Sequence, residues 1–186
     1  MKGPQTLLDC EDHWSTDMGA WFPGERIVLR GKDLFHDLKD LSWMAYLLYG
    51  ITGRMLDEKQ LRLFEGIWVL STSYPEPRLW NNRIAALAGT ARSTAVLAIG
   101  AATTVSEAVI YGNRVNMRTI DFFLRIKAQL DKGTDLNELI KAEMKQYRGI
   151  GGYGRPITRQ DERIEPLMSL ARELGIAEGP HIKLAF

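Results

Sequence analysis

The sequence predicts an all-α fold. This prediction rests on three observations: helical periodicity, a stretch of small residues and a shortage of strand-like runs. Apolar residues recur at three- and four-residue spacing through most of the 186 residues. Residues 80–112 are small and apolar, which lets helices approach closely inside a core. One short run, residues 26–30, is strand-like. We therefore expect about six to eight helices packed in layers.

The first half of the chain contains two clear predicted helices. The first carries leucines at 34, 38, 41 and 48 at helical spacing and ends at Gly50. The second begins with a capping box formed by Asp57 and Gln60. Its apolar face is predicted to be buried and comprises Leu61, Phe64, Ile67, Trp68 and Ser71.

The second half contains three more amphipathic segments. Residues 118–130 form a predicted helix, which we expect to bury Ile120, Phe123, Leu124 and Ala128. Thr134 is expected to cap the next helix, which runs to Tyr147. A capping pattern, Thr158 with Asp161, precedes a helix ending at Gly175, although Pro166 places its start nearer Arg163. Residues 179–186 resemble the opening turn of another helix.

Bulk composition excludes several classes of protein. The net charge of +1 argues against a nucleic-acid surface, which needs a clustered basic excess. The single cysteine, Cys10, excludes a disulfide framework and indicates a reducing cytoplasm. Residues 1–10 lack the pattern of a signal peptide. Residues 84–111 carry Arg92 and Glu107 and indicate a buried helix rather than a membrane span.

Few side chains in the sequence are arranged for catalysis or metal binding. The three histidines, His13, His36 and His181, have no neighbours at metal-ligand spacing, so we expect no metal site. Cys10 has no basic partner nearby, and no nucleophile-elbow motif is present.

The most informative stretch is a glycine-rich loop, residues 149–156, with four glycines in six positions. So many glycines indicate a backbone that turns sharply and lies close to something. Arg155, Arg159 and Arg163 follow, and a glycine loop leading into a helix N-terminus is a common anion-binding arrangement. A second turn, Gly112, precedes Arg114 and Arg118. The two turns could converge on one polyanion, or each could be a solvated connection between helices.

Three motifs in order resemble the citrate synthase family over residues 26–186. An Arg-Gly turn at residues 30–31 leads to Ala-Tyr-Leu-Leu-Tyr-Gly at residues 45–50. The glycine loop is similar to the family's Pro-Gly-Tyr/Phe-Gly-His, and residues 161–163, Asp-Glu-Arg, resemble its Asp-Pro-Arg. The resemblance implies an all-helical fold with a truncated large domain (residues 1–112), a small CoA-type domain (residues 113–179) and the start of a return to the large domain (residues 180–186).

The resemblance also implies ligands and site residues. Citrate synthases, 2-methylcitrate synthases and citryl-CoA lyases join or cleave a C–C bond between an acyl-CoA and an oxo acid. This chain would accordingly bind CoA or acyl-CoA, with citrate or an oxo acid, and carry no covalent cofactor. Arg163 would bind a carboxylate. A homodimer is expected from the family, without nucleic acid or membrane partners. The residues expected against CoA are Gly152, Tyr153, Gly154 and Arg155.

The sequence departs from the family at its catalytic histidines. One family histidine falls on Arg155, and the other falls near Tyr111 or, in another register, near Ala102. The family's aspartate base would lie beyond Phe186. Deprotonating an acyl-CoA methyl group needs a carboxylate base and a donor for the enolate oxygen. Tyr111 and Arg155 can donate hydrogen bonds, but neither replaces the base.

Three functions therefore stay open at this level. The chain is an acyl-CoA condensing acyltransferase or citryl-CoA lyase completed by a missing segment, or a CoA-binding protein with little turnover. Alternatively, it is a non-catalytic subunit that binds a partner through exposed helix faces. The third possibility is that the loop resemblance is accidental and that the chain is an unrelated helical binding domain.

Overall fold

The computed structural model describes residues 4–9, 11, 16–71, 76, 78–109, 112–153 and 161–186. These residues are mostly helical, with one small sheet, which confirms the predicted class. They divide into two compact units, Met1–Glu65 and Gly66–Phe186; the domain boundary expected after residue 112 stays a prediction. The elements are α1 (Pro4–Asp9), β1 (Gly19–Phe22), β2 (Arg26–Leu29), β3 (Lys32–Asp33), α2 (Trp43–Thr52), α3 (Glu58–Ser71), α4 (Trp80–Thr90), α5 (Ala95–Val105), α6 (Arg114–Leu130), α7 (Leu136–Tyr147), α8 (Ile164–Glu173) and α9 (Pro180–Ala185).

The N-terminal unit contains a three-stranded antiparallel sheet in the order β1-β2-β3. β2 is the strand that the sequence predicts, whereas β1 was not predicted. Its residues show no alternation in hydrophobicity, and pairing with β2 holds them extended, with Gly19 opposite Leu29. A Cβ on Gly19 would lie 2.2 Å from the carbonyl oxygen of Val28, so this pairing requires glycine.

The first predicted helix is shorter than expected and begins later. The carboxylate of Asp33 accepts hydrogen bonds from the backbone N–H groups of Phe35 and His36, and this turn replaces the predicted first helical turns. α2 begins after Ser42, whose hydroxyl accepts from the N–H of Ala45. It ends at Gly53, which adopts a φ of 72°.

The Arg-Gly turn connects β2 to the end of α2. Arg30 adopts a φ of 46°, and its guanidinium donates from Nε to the carbonyl of Gly50 (3.0 Å) and from Nη2 to that of Ile51 (3.2 Å). In return, the hydroxyl of Tyr49 donates to the carbonyl of Arg30 at 2.8 Å. A cation at the C-terminus of a helix also interacts favourably with the helix dipole. The Arg30-Gly31 and Tyr49-Gly50 motifs thus form one packing unit.

α3 confirms its predicted capping box, with hydrogen bonds of 2.8 Å from the Gln60 N–H to Asp57 Oδ1 and 3.2 Å from the Asp57 N–H to Gln60 Oε1. The prediction that its apolar face is buried was wrong for four of the five residues, which are exposed: Phe64, Ile67, Trp68 and Ser71. Helical spacing identifies an apolar stripe but does not show what covers it.

α4 and α5 pack against each other, as their small residues predicted, but the expected burial in a core was wrong, because neither helix has a buried residue. The helical conformation is interrupted between them at Arg92, which has a φ of 56°, and Thr94 then caps α5. Alanines at 85, 98 and 102 line a groove of about 290 Å³ between the two helices.

The core of the C-terminal unit lies between α6 and α7, where Phe122, Ile126 and Leu139 are buried. On α6 the predicted buried face was mostly wrong: Ile120, Leu124 and Ala128 are exposed. Phe123 packs against the core, but the buried positions are its neighbour Phe122 and Ile126.

α7 begins at a different residue from the one predicted. Its N-cap is Asp135 rather than Thr134, and the Asp135 carboxylate accepts from the N–H groups of Asn137 and Glu138. Further along the helix, Glu143 is a buried carboxylate. It accepts from Arg125 Nη2 on α6 at 3.1 Å, and Arg125 also pairs with Asp121. This pair links the two helices beside their apolar contact.

The Arg30 link gives the first prediction. Replacing Arg30 with alanine removes two charge-assisted hydrogen bonds to carbonyl groups and retains a non-glycine residue at positive φ. We expect the free energy of unfolding to fall by about 1–2 kcal/mol, measured by urea denaturation. Arg54→Ala, which changes an exposed arginine just beyond α2, is the control and should cost less than about 0.5 kcal/mol. Equal losses in the two variants would contradict the link.

Candidate functional site

The glycine loop follows α7 directly. Arg148 ends that helix with a φ of 57°, and its N–H donates to the carbonyl of Met144 at 2.9 Å. Ile150 then turns inward and packs against the core of Phe122, Ile126 and Leu139. The direction in which the loop leaves α7 is therefore set by a left-handed cap and one buried anchor.

The two central glycines of the loop lie against α6. A Cβ on Gly151 would lie 3.2 Å from the backbone nitrogen of Thr119, and one on Gly152 would lie 2.7 Å from Thr119 Cγ2 and Oγ1. Gly152 also has a φ of 84°, a conformation that favours glycine. The predicted close approach is thus observed, and the residue that the glycines approach is Thr119, which the sequence pattern does not indicate.

Tyr153 closes the described part of the loop. Its N–H donates to the carbonyl of Ile150 at 3.3 Å, which makes a tight turn around the two glycines. Its ring packs at a tilt against Phe123, with 6.3 Å between centroids, and its hydroxyl donates to the carbonyl of Ala185 on α9 at 2.7 Å. Partial burial raises the pKa of the Tyr153 phenol, so it keeps its proton and its donor role at neutral pH.

One arginine from the second predicted turn reaches this region. The Cβ of Arg118 lies 3.3 Å from the position that a Cβ on Gly151 would occupy. The Arg118 guanidinium lies over the ring of Tyr147, 4.8 Å from its centroid. Of the two arginines that follow the Gly112 turn, Arg118 thus lies against the glycine loop.

Arg163 lies at the start of α8, as the proline position indicated, and is held by Asp161. Its Nε donates to Asp161 Oδ1 at 2.8 Å and its Nη2 to Oδ2 at 2.5 Å, which is a two-pronged ion pair. The N–H of Arg163 also donates to Oδ1 at 3.0 Å. An incoming carboxylate would share or displace the Asp161 contact.

Several predicted site residues lie outside the described residues: Tyr111, Gly154, Arg155, Thr158 and Arg159, together with Cys10 and His13. Their roles stay predictions. Among the described residues, no group of three or more histidine, cysteine, aspartate or glutamate side chains could hold a metal ion. None of the described helices has the length and apolar character required to cross a bilayer.

Comparison with known proteins gives one positive result, from solved structures. The sequence matches no protein-family model, and no curated protein matches it. Solved structures, however, assign the fold: it is the citrate synthase-like helical fold found in citryl-CoA lyases.

The first of these structures is the citryl-CoA lyase of Hydrogenobacter thermophilus, with a TM-score of 0.74 and 20% identity over 93% of this chain. Two others are the ATP citrate lyases of Methanosaeta concilii, in complex with (3S)-citryl-CoA, and of Methanothrix soehngenii, in complex with citrate and coenzyme A. Both give TM-scores of 0.66 over 93% of this chain, at 18% and 17% identity. The chain spans 65% of the citryl-CoA lyase chain and 28% of each ATP citrate lyase chain.

The contact between Gly152 and Thr119 gives the second prediction. Gly152→Ala places a methyl group against Thr119 and strains the backbone, so the free energy of unfolding should fall by about 1–2 kcal/mol. Thermal and urea unfolding measure this loss. Gly149→Ala is the matched control, because its added Cβ meets no atom within 4 Å.

Adding Thr119→Ser to Gly152→Ala removes the methyl group of Thr119 and should recover part of the loss. If the double variant is no more stable than Gly152→Ala, crowding against Thr119 is not the cause.

Proposed function

We propose that this chain is the CoA-binding portion of a citryl-CoA lyase-like protein, with the glycine loop lying against CoA. The observation that carries the proposal is the fold itself, matched over 93% of the chain to citryl-CoA lyase, with the glycine loop preorganised against α6. Complexes of two neighbours with citryl-CoA or CoA support the choice of ligand. A loop fixed before binding loses little conformational entropy when a ligand arrives.

Within the loop, the residues proposed to face CoA are Gly152, Tyr153, Gly154 and Arg155. Tyr153 is 50% exposed although its hydroxyl is engaged, so its ring can pack against an adenine or a pantetheine chain. Arg118, beside Gly151, is a cation within reach of the same region and suits a phosphate.

Arg163 is proposed to bind a carboxylate of citrate or of an oxo acid. The planar guanidinium matches a carboxylate through two parallel hydrogen bonds, and Asp161 already uses this geometry. In this proposal Asp161 orients Arg163 until the ligand carboxylate arrives. The pair therefore exchanges one carboxylate partner for another.

Turnover by this chain on its own is proposed to be low. The sequence has no histidine between His36 and His181, and by the resemblance to the citrate synthase family Tyr111 and Arg155 would stand near the positions of its histidines. Each of these two can stabilise an enolate oxygen, but neither is an imidazole, and the loss of a general acid or base typically costs about 10²–10⁴ in rate. We propose ligand binding with weak citryl-CoA cleavage or acyl-CoA condensation rather than a competent cytoplasmic enzyme.

A second candidate function is association through helix faces, beginning with a homodimer. On α5, Val96, Leu97 and Ile99 are 66–79% exposed. Contiguous apolar side chains of this kind mark association surfaces. The groove between α4 and α5 is lined by small residues, so a helix from a second copy could approach closely.

Calorimetric titration tests the proposed function, with CoA alone and then with citrate or oxaloacetate in the presence of CoA. We expect CoA to bind the wild type. We expect citrate to bind Arg163→Ala about 10–100-fold more weakly than it binds the wild type, because a charge-assisted pair is lost. Arg172→Ala is the matched control, since this arginine pairs with the exposed Glu165 on the same helix.

Three outcomes would count against these assignments. Failure of CoA to bind overturns the CoA proposal. Equal citrate affinities in wild type, Arg163→Ala and Arg172→Ala overturn the assignment of Arg163. Rapid citryl-CoA cleavage, followed by release of the CoA thiol, overturns the proposal of low turnover.

The association surface gives a separate prediction. Leu97→Glu places a charge on the exposed face of α5, so the dimer dissociation constant should rise at least about tenfold with an unchanged melting temperature of the monomer. Sedimentation velocity across a range of concentrations measures it. Lys141→Glu, on the exposed surface of α7, is the control. A wild-type chain that stays monomeric throughout that range would contradict the homodimer.

A further inference from the structure

One side-chain hydrogen bond joins the glycine loop to α9. The donor is the Tyr153 hydroxyl and the acceptor is the carbonyl of Ala185, 32 residues further along the chain. The neighbouring residue on α9, Leu184, packs against the core of Phe122, Ile126 and Leu139. The bond therefore lies beside an apolar contact that holds α9 on α6.

The loop depends on the same core from its other end. Ile150 packs against the cluster that Leu184 contacts, and Gly151 and Gly152 lie on Thr119 of α6. Tyr153 itself contacts α6 through Phe123 and α9 through its hydroxyl. The loop and α9 thus pack against the same core, and Tyr153 is the loop residue that contacts α9.

We propose that Tyr153 is a positioning residue that couples the glycine loop to α9, so that a ligand held by the loop strengthens the docking of α9 on α6. Ligand binding and α9 docking then affect each other by the same factor, because such coupling is reciprocal. The inference rests on the proposed CoA site. It differs from a direct ligand contact, since the hydroxyl acts through α9 rather than on the ligand.

Hydrogen exchange of the α9 amides tests the link in the free protein. Tyr153→Phe keeps the ring and removes the hydroxyl, so exchange of the amides of residues 183–186 should accelerate by about 2–10-fold, as expected for one lost hydrogen bond. Tyr147→Phe is the matched control, because its hydroxyl accepts from the adjacent Gln146. Equal exchange in wild type, Tyr153→Phe and Tyr147→Phe overturns the link.

The same measurement with saturating CoA tests the coupling. In the wild type CoA should slow α9 exchange, and in Tyr153→Phe this protection should be lost although the ring is still present. In the reverse direction, Leu184→Ala should weaken CoA binding by about 2–10-fold through looser α9 docking, whereas the neighbouring Lys183→Ala should not.

The outcomes separate the two proposals. If wild-type protein does not bind CoA by calorimetry, the proposed function fails and the coupling fails with it, while exchange in the free protein still decides the link. If CoA binds but leaves α9 exchange unchanged, or if Leu184→Ala binds CoA like the wild type, the coupling is overturned and the CoA site stands.

Discussion

The apolar contact between α6 and α7 is the constraint on which the candidate site depends. Phe122 and Ile126 are buried against Leu139, and their burial brings Thr119, one turn earlier on α6, to face the glycine loop. Ile150 and Leu184 insert into the same cluster from the two segments that follow. A loss of packing here would therefore move the loop and α9 together, because close-packed interiors transmit such shifts.

In addition to this apolar contact, three arginines make polar contacts that hold the structure together. Arg30 binds the terminal carbonyls of α2, Arg125 binds the buried Glu143, and Arg163 binds Asp161. In each case the planar guanidinium donates from Nε and Nη2 to two oxygen atoms, and the single ammonium group of lysine does not provide this fixed fork. The pKa of Arg125 is raised, first by its hydrogen bond to Asp121 and also by Glu143, so it stays charged and keeps Glu143 compensated.

The parts of the fold that the sequence predicted correctly are those that depend on local chemistry. The Asp57–Gln60 capping box and the glycine ending α8 involve residues close in the chain, and both were found. The face of α6 and the exposure of Phe64, Ile67 and Trp68 depend on what packs against a helix, which periodicity does not reveal. β1 was missed because its strand conformation comes from pairing with β2. In the site, the need for glycine was local, whereas Thr119 and Ala185 are long-range partners.

The pairing of Asp161 with Arg163 makes the proposed carboxylate site self-competitive. Asp161 is attached two residues away and therefore acts at a high effective concentration, which any free carboxylate must overcome. A ligand with one carboxyl group gains little from replacing it. Under the proposed role of Arg163, a ligand with several carboxyl groups gains contacts elsewhere as well, so the resident aspartate would select against simple monocarboxylic acids.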